Sequence, residues 1–172
     1  FTVALIEHHC RMLVDQVDTL RAAFSRVAKR HLFETAEICI LPDHLHCLWR
    51  LPPDDQDFPL RWRLIKTAFS PSPPRDADPQ KGRRKGERGV LRRRCRERLN
   101  RDDDDFSANV AYVHWDSVKH GLVKHPDDWP NSTWRRWTRE CGRPHMTPPE
   151  DETRRIWEYE SKATAGNRRI RP

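Results

Sequence analysis

The feature that most narrows what this chain can become is a pair of short apolar runs, Phe33 to Leu41 and His44 to Leu51, joined at Leu41-Pro42-Asp43. Proline and aspartate between two such runs mark a tight turn, so the pair predicts two antiparallel strands. The flanks extend the pattern. Phe1 to Ile6 is apolar and β-branched, a first strand. From Arg11 to His31, Leu13, Val17, Leu20, Phe24 and Val27 recur at steps of four and three, which is one stripe of an amphipathic helix. Phe58 to Ser70 predicts a second helix, with Trp62, Ile65 and Phe69 inward and Arg61, Arg63 and Lys66 outward. Val90 to Leu99 can form a further strand, because long guanidinium stems cover apolar surface. Asp102 to Asp105 suits the positive end of a third helix that runs to about Lys119 and stops at Gly121. Strand, helix, strand, strand, helix, strand is the ferredoxin-like arrangement, an α+β fold with an antiparallel sheet and helices on one face. The third helix is an addition to it, and the other sheet face is open to receive that helix and a site.

The organisation predicts a domain over 1–137 and a C-terminal tail over 138–172. Within the domain, 71–89 holds four prolines and three of the six glycines, the composition of a mobile loop. No apolar stretch approaches the roughly 20 residues of a membrane span, and the opening residues carry no signal-peptide pattern. Five cysteines, scattered and never in a CxxC pair, read as reduced thiols in a cytoplasmic protein. Walker, nucleophile-elbow and dinucleotide-binding sequences are absent.

Charge is unevenly placed. The net charge is +7, yet residues 81–101 alone carry eleven Lys/Arg against two Glu. One segment thus holds more than the whole basic excess. Such a stripe is the electrostatic footprint of a phosphate-backbone ligand, or else a solvated loop. Its candidate DNA contacts are Arg83, Arg84, Lys85, Arg88, Arg92, Arg93 and Arg94, with Lys119 on the third helix. Trp134-Arg135-Arg136-Trp137 interleaves aromatic and basic residues, which suits base stacking beside phosphate contacts. It equally suits tryptophans that pack back on the domain.

Candidate chemistry sits at two places. His44 and His46, two apart on a strand, face the same side, opposite Leu45, Cys47 and Trp49. Two convergent imidazoles on a rigid strand are half a metal site, or a pair of hydrogen-bonded histidines. On the third helix, Tyr112 shares a polar face with Asp105, Asp116 and Lys119, and Asp116 follows it by one turn. If that helix packs on the open sheet face, His44, His46 and Asp116 hold one divalent ion and Tyr112 stands beside it as nucleophile. Otherwise Tyr112 is a boundary residue with a wet hydroxyl.

Several motifs then occur in one order: Leu41-Pro42-Asp43-His44-Leu45-His46-Cys47-Leu48-Trp49; Arg61-Trp62-Arg63-Leu64-Ile65-Lys66; Tyr112-Val113-His114 running to Val118-Lys119-His120-Gly121-Leu122-Val123; and Asp128-Trp129-Pro130. Over residues 1–137 the chain resembles the REP-associated tyrosine transposases, single-tyrosine HUH enzymes related to small insertion-sequence transposases. The resemblance implies a ferredoxin-like domain, a Mg²⁺ or Mn²⁺ ion on the HUH histidines, here His44 and His46, and Tyr112 as nucleophile. It implies cleavage and rejoining of single-stranded DNA beside imperfect palindromic hairpins through a 5′-phosphotyrosine, by a monomer or homodimer in the bacterial cytoplasm at the nucleoid. Two departures stand out. Where the family reads Tyr-Ile-His-x-Asn-Pro-Val, this chain has Asp116-Ser117. A carboxylate replaces an amide, and both offer an oxygen to a hard ion. Where the family ends an aromatic-rich strand in Trp-Glu-His, this chain has Cys95-Arg96-Glu97-Arg98. A protein that binds hairpins without cutting them is the competing reading. A hydrolase of small phosphates fits less well, since a small substrate does not need so long a basic stripe.

Overall fold

A computed structural model describes residues 1–6, 10–70, 90–92 and 95–141. Its elements are β1 (Thr2–Ala4), α1 (Met12–Asp15), α2 (Val17–Ala28), β2 (Glu34–Ile40), β3 (His44–Arg50), α3 (Phe58–Phe69), α4 (Asp103–Lys119) and α5 (Trp134–Glu140), with a 3₁₀ turn at Pro126–Asp128. They fall into two compact units. The first is Phe1–Leu99 with Pro130–Thr133, and the second takes in Asn100–Trp129 and the chain from Trp134 onward.

The first unit is built on an antiparallel sheet in the order β1-β3-β2. The predicted hairpin is its centre: β3 pairs with β2 on one side and with β1 on the other. Its turn closes where Leu41 N–H donates to the His44 carbonyl at 2.8 Å. A register shift between Thr35 and Glu37 marks a bulge in β2. Both outer edges are covered. Leu91 and Arg96 form isolated bridges to Leu5 and Thr2, and Arg92 N–H donates to the Ala4 carbonyl at 2.8 Å. The expected strand over Val90–Leu99 is therefore present as bridges, not as a continuous ladder, among the described residues. That segment lies beside β1, which reproduces the ferredoxin-like order. On the far edge, Ser132 bridges Cys39, Ile40 N–H donates to the Asn131 carbonyl (2.8 Å) and Thr133 N–H to that of Ile38 (2.9 Å).

Helices supply the core. Leu13, Leu20, Ala23 and Val27 from α1 and α2, and Trp62, Ile65 and Phe69 from α3, are buried with Val3, Ile40, Leu45 and Cys47 of the sheet. Alternation along β3 sends Leu45 and Cys47 into this core. Trp49 stacks on Trp62 with ring centroids 4.5 Å apart and planes 14° apart. The single helix expected over Arg11–His31 breaks at Gln16 into α1 and α2. In α3, Asp57 caps the N-terminus by accepting from Leu60 N–H, and Pro59 occupies the first turn, where its missing N–H costs nothing.

Arg61 differs from its expected outward position. It is buried at 4 % exposure and donates to the Asp55 carboxylate at 2.5 and 2.9 Å, to the Leu32 carbonyl at 2.7 Å and to the Asp57 carbonyl at 3.0 Å. Its fork has enough donors to fill a polar pocket at the α3 start, which helical periodicity alone does not foresee. This bond with Arg61 holds the Asp55 carboxyl below the usual carboxylate range.

The second unit is led by α4. Asp102 caps it by accepting from Asp105 N–H at 2.8 Å, and three further aspartates sit in its first turn. It ends as the glycine predicts. Gly121 takes φ +68°, and Leu122 N–H reaches back to the Ser117 carbonyl at 3.0 Å. The sequence loses its periodicity beyond Trp137, yet α5 continues to Glu140. Seven residues are too few for a periodic signal to register. No helix among the described residues is long and apolar enough to cross a membrane.

Candidate active site

In the first unit, β3 carries His44 and His46 on one face. Their rings lie 5.2 Å apart and perpendicular. Each Nδ1 has a partner on the sheet. His44 Nδ1 is 2.7 Å from Asp43 Oδ1, and His46 Nδ1 is 3.0 Å from Thr2 Oγ1. A carboxylate can only accept, so the proton of His44 sits on Nδ1 and the lone pair on Nε2. This is how imidazoles are oriented toward a metal: one nitrogen fixed by a neighbour, the other carrying the ligating pair. His46 is buried at 4 % exposure, while His44 is half-buried.

Sequence reasoning missed both supporting residues. Asp43 was visible only as a turn former. Thr2 comes beside His46 through the β1–β3 register, Thr2 opposite His46, which no local pattern encodes.

In the second unit, α4 carries Tyr112, Asp116 and Lys119. The sequence places Tyr112 and Asp116 on one polar face, covered or wet according to how the helix packs. Both are buried, Tyr112 at 5 % and Asp116 at 0 % exposure, and His114 and Ser117 are fully buried as well. A helix buried on more than one side cannot show its inward face through a single apolar stripe. Lys119 Nζ lies over the Tyr112 ring, 5.4 Å from its centroid. His120 Nε2 is 3.5 Å from Asp116 Oδ1. His114 packs edge-on to Trp134 at 5.4 Å and against Trp137 at 5.6 Å, so it serves the packing of this unit.

The imidazoles of His44 and His46 on β3 and, taken by itself, the carboxylate of Asp116 on α4 are donor types compatible with a divalent metal ion. Two imidazoles with one carboxylate suit a borderline or hard cation, and the fixed Nδ1 atoms of the two histidines fit that use. Of the basic candidates, Arg92 is half-buried and its carbonyl accepts from Lys66 Nζ at 2.9 Å. Burial lowers the Lys66 ammonium below its ordinary value. Arg83, Arg84, Lys85, Arg88, Arg93 and Arg94 lie outside the described residues, as does the second tyrosine, Tyr159.

No family model matches the chain. Individual proteins do. A protein of Haemophilus influenzae assigned as a REP-associated tyrosine transposase is 37% identical over 138 residues, covering 79% of this chain and 78% of that protein. The REP-associated tyrosine transposase of Escherichia coli K12 is 35% identical over 136 residues, 79% of this chain and 75% of its own. Among solved structures, a REP-associated tyrosine transposase bound to a REP hairpin superposes with a TM-score of 0.71 at 34% identity, covering 83% of this chain and 79% of that one.

Proposed function

Since the chain belongs to the REP-associated tyrosine transposases, we propose that it binds hairpin DNA and cuts and rejoins an adjacent single strand, with Tyr112 as nucleophile and His44, His46 and Asp116 as ligands of a Mg²⁺ or Mn²⁺ ion. The observation that carries the reading is the histidine pair of β3, each ring oriented through its Nδ1 by a sheet neighbour. Held by these residues, such an ion would supply Lewis-acid polarisation of the scissile phosphate.

The protein residues do the rest. Asp43 and Thr2 fix the two imidazoles. Lys119, over the Tyr112 ring, meets the incoming phosphate with positive charge. Tyr112 Oη attacks phosphorus, its proton leaving to solvent. The Oη–P bond forms as the P–O3′ bond breaks, and the 3′ oxygen takes up a proton. The product is a 5′-phosphotyrosine and a free 3′-OH. Rejoining runs the same step backward and needs no nucleotide triphosphate, because the phosphodiester energy is retained. Tyrosine at its ordinary pKa of about 10 is a weak nucleophile at neutral pH, so holding it in line with the phosphate is the main contribution of the fold.

The test is a denaturing gel of labelled hairpin DNA incubated with protein and Mn²⁺. A protein-linked band is expected, lost in Tyr112→Phe while hairpin binding persists. Binding without any linked band supports instead a hairpin-binding protein without turnover, and adduct from the Phe variant moves the nucleophile elsewhere.

A further inference from the structure

Besides α4, the second unit has a short helix whose two sides differ sharply. On α5, Trp134 is buried, Trp137 is half-buried, and the two indoles stack at 5.9 Å with planes 29° apart. Trp134 Nε1 donates to Asp127 Oδ1 at 2.6 Å, and His125 lies edge-on at 5.8 Å. Buried and stacked this way, Trp134 offers no face to a nucleobase. The packing alternative for the Trp-Arg-Arg-Trp segment is thus the observed one, and base stacking on Trp134 is excluded.

The arginines point the other way. At 100° per residue, Arg135, Arg139 and Arg136 span a sector of about 100° opposite the indoles, and all three are exposed. Arg135 and Arg139 stand at i and i+4, with Cβ atoms about 5–6 Å apart. Like charges at that spacing weaken a helix. Among the described residues neither forms an ion pair with a carboxylate; the nearest acid on the helix, Glu140, falls at the edge of the sector, beyond Arg136. Arg135 is held in place, its Nε and Nη2 donating to the Asp127 carbonyl at 3.2 and 2.9 Å. A guanidinium fixed along one edge has fewer rotamers to lose when its remaining donors take an anion.

We propose that the Arg135–Arg136–Arg139 face of α5 is a binding surface for the phosphate backbone of DNA, independent of base sequence. An anionic backbone is the partner that removes the repulsion between Arg135 and Arg139. The inference rests on the hairpin-binding function proposed above and adds a second, ordered contact surface outside the basic 81–101 segment.

The test uses the full chain and measures DNA affinity against salt concentration for wild type, Arg139→Gln, Arg135→Gln/Arg139→Gln and Arg135→Lys/Arg139→Lys. Each phosphate contact contributes a log–log slope of about -0.7 on single strands and about -0.9 on duplex. The double Gln variant should therefore flatten the slope by about 1.4 to 1.8 and weaken binding at 0.1 M salt about 25- to 60-fold, relative to 1 M. Arg139→Gln should lose about half of that slope. The Lys variant gives up the Asp127 fork but keeps both charges, so it should hold the wild-type slope. A loss seen on an unstructured strand and a hairpin alike assigns the contact to any backbone, and a loss on the hairpin alone assigns it to the duplex stem. An unchanged slope in the double Gln variant overturns the proposal, as does a Lys variant as weak as the Gln one. Wild type binding neither DNA would instead sink the hairpin-binding function itself.

Discussion

Asp116→Asn should make the metal-free protein more stable and shrink the stabilisation that Mn²⁺ adds. The Asp116 side chain is fully buried, each oxygen exposing less than 1 Å². Removing a carboxylate from water costs several kcal/mol even after the surroundings relax. His120 returns part of this, from 3.5 Å, but its side chain is 42% exposed, and a pair with one partner in solvent is worth about 0–1 kcal/mol. A neutral amide of the same shape avoids the charge cost, although its NH₂ needs acceptors. The net expectation is a gain of about 1–3 kcal/mol, within the range for replacing buried charge by neutral groups. For a chain of this size that is about 2–12 °C in Tm. Mn²⁺ narrows the difference. At a hundred times its Kd an ion stabilises the native state by about 2.7 kcal/mol, and a tenfold loss of affinity removes about 1.4 of that. The assay is thermal unfolding of both proteins in EDTA and across a Mn²⁺ titration. A lower Tm for the Asn variant in EDTA refutes the burial argument. An equal Mn²⁺ increment in the two proteins removes Asp116 from the metal site.

His44→Ala and His46→Ala should each abolish Mn²⁺-induced stabilisation while the unfolding free energy in EDTA falls by no more than about 2 kcal/mol, the scale of one or two neutral hydrogen bonds; calorimetric titration of Mn²⁺ and urea unfolding check this. Ser117→Ala should raise stability by about 1 kcal/mol in urea unfolding, because the Ser117 hydroxyl is buried without a hydrogen-bond partner among the described residues. Burial pushes the Cys47 thiol up to about 12, so the thiol is uncharged at pH 8.5. Iodoacetamide at pH 8.5 should alkylate the exposed Cys141 and spare Cys47, as peptide mass spectrometry reads directly.

What the sequence discloses here follows the range of the forces involved. The β2–β3 hairpin, the acidic start of α4 and the Gly121 stop are local, each encoded within a few residues, and they fall where the pattern puts them. The fold order follows from counting such elements. The histidine pair was legible because a strand has a period of two. Its supports were not: Thr2 reaches His46 across 44 positions of chain. For Tyr112 and Asp116 the sequence shows a shared polar face but leaves open whether it is covered, because that depends on segments far apart in the chain; the fold buries both. Arg61 was misread for a related reason. Its length lets it satisfy Asp55 and the Leu32 and Asp57 carbonyls from inside, so its charge does not imply exposure.

The return of the chain to the sheet at Pro130–Thr133 sets an order on synthesis. Ile38 gives its N–H to Thr133 Oγ1 and its carbonyl to Thr133 N–H, partners 95 residues later. A chain leaving the ribosome at about 5–20 residues per second has β2 ready several seconds before that partner exists. Throughout this interval the outer side of β2 is an uncovered strand edge, able to pair with any extended segment nearby. A nascent or truncated product ending near residue 99 keeps that edge for good. Crowding of such chains, rather than weakness of the finished fold, is then where expression of this protein is most exposed to aggregation.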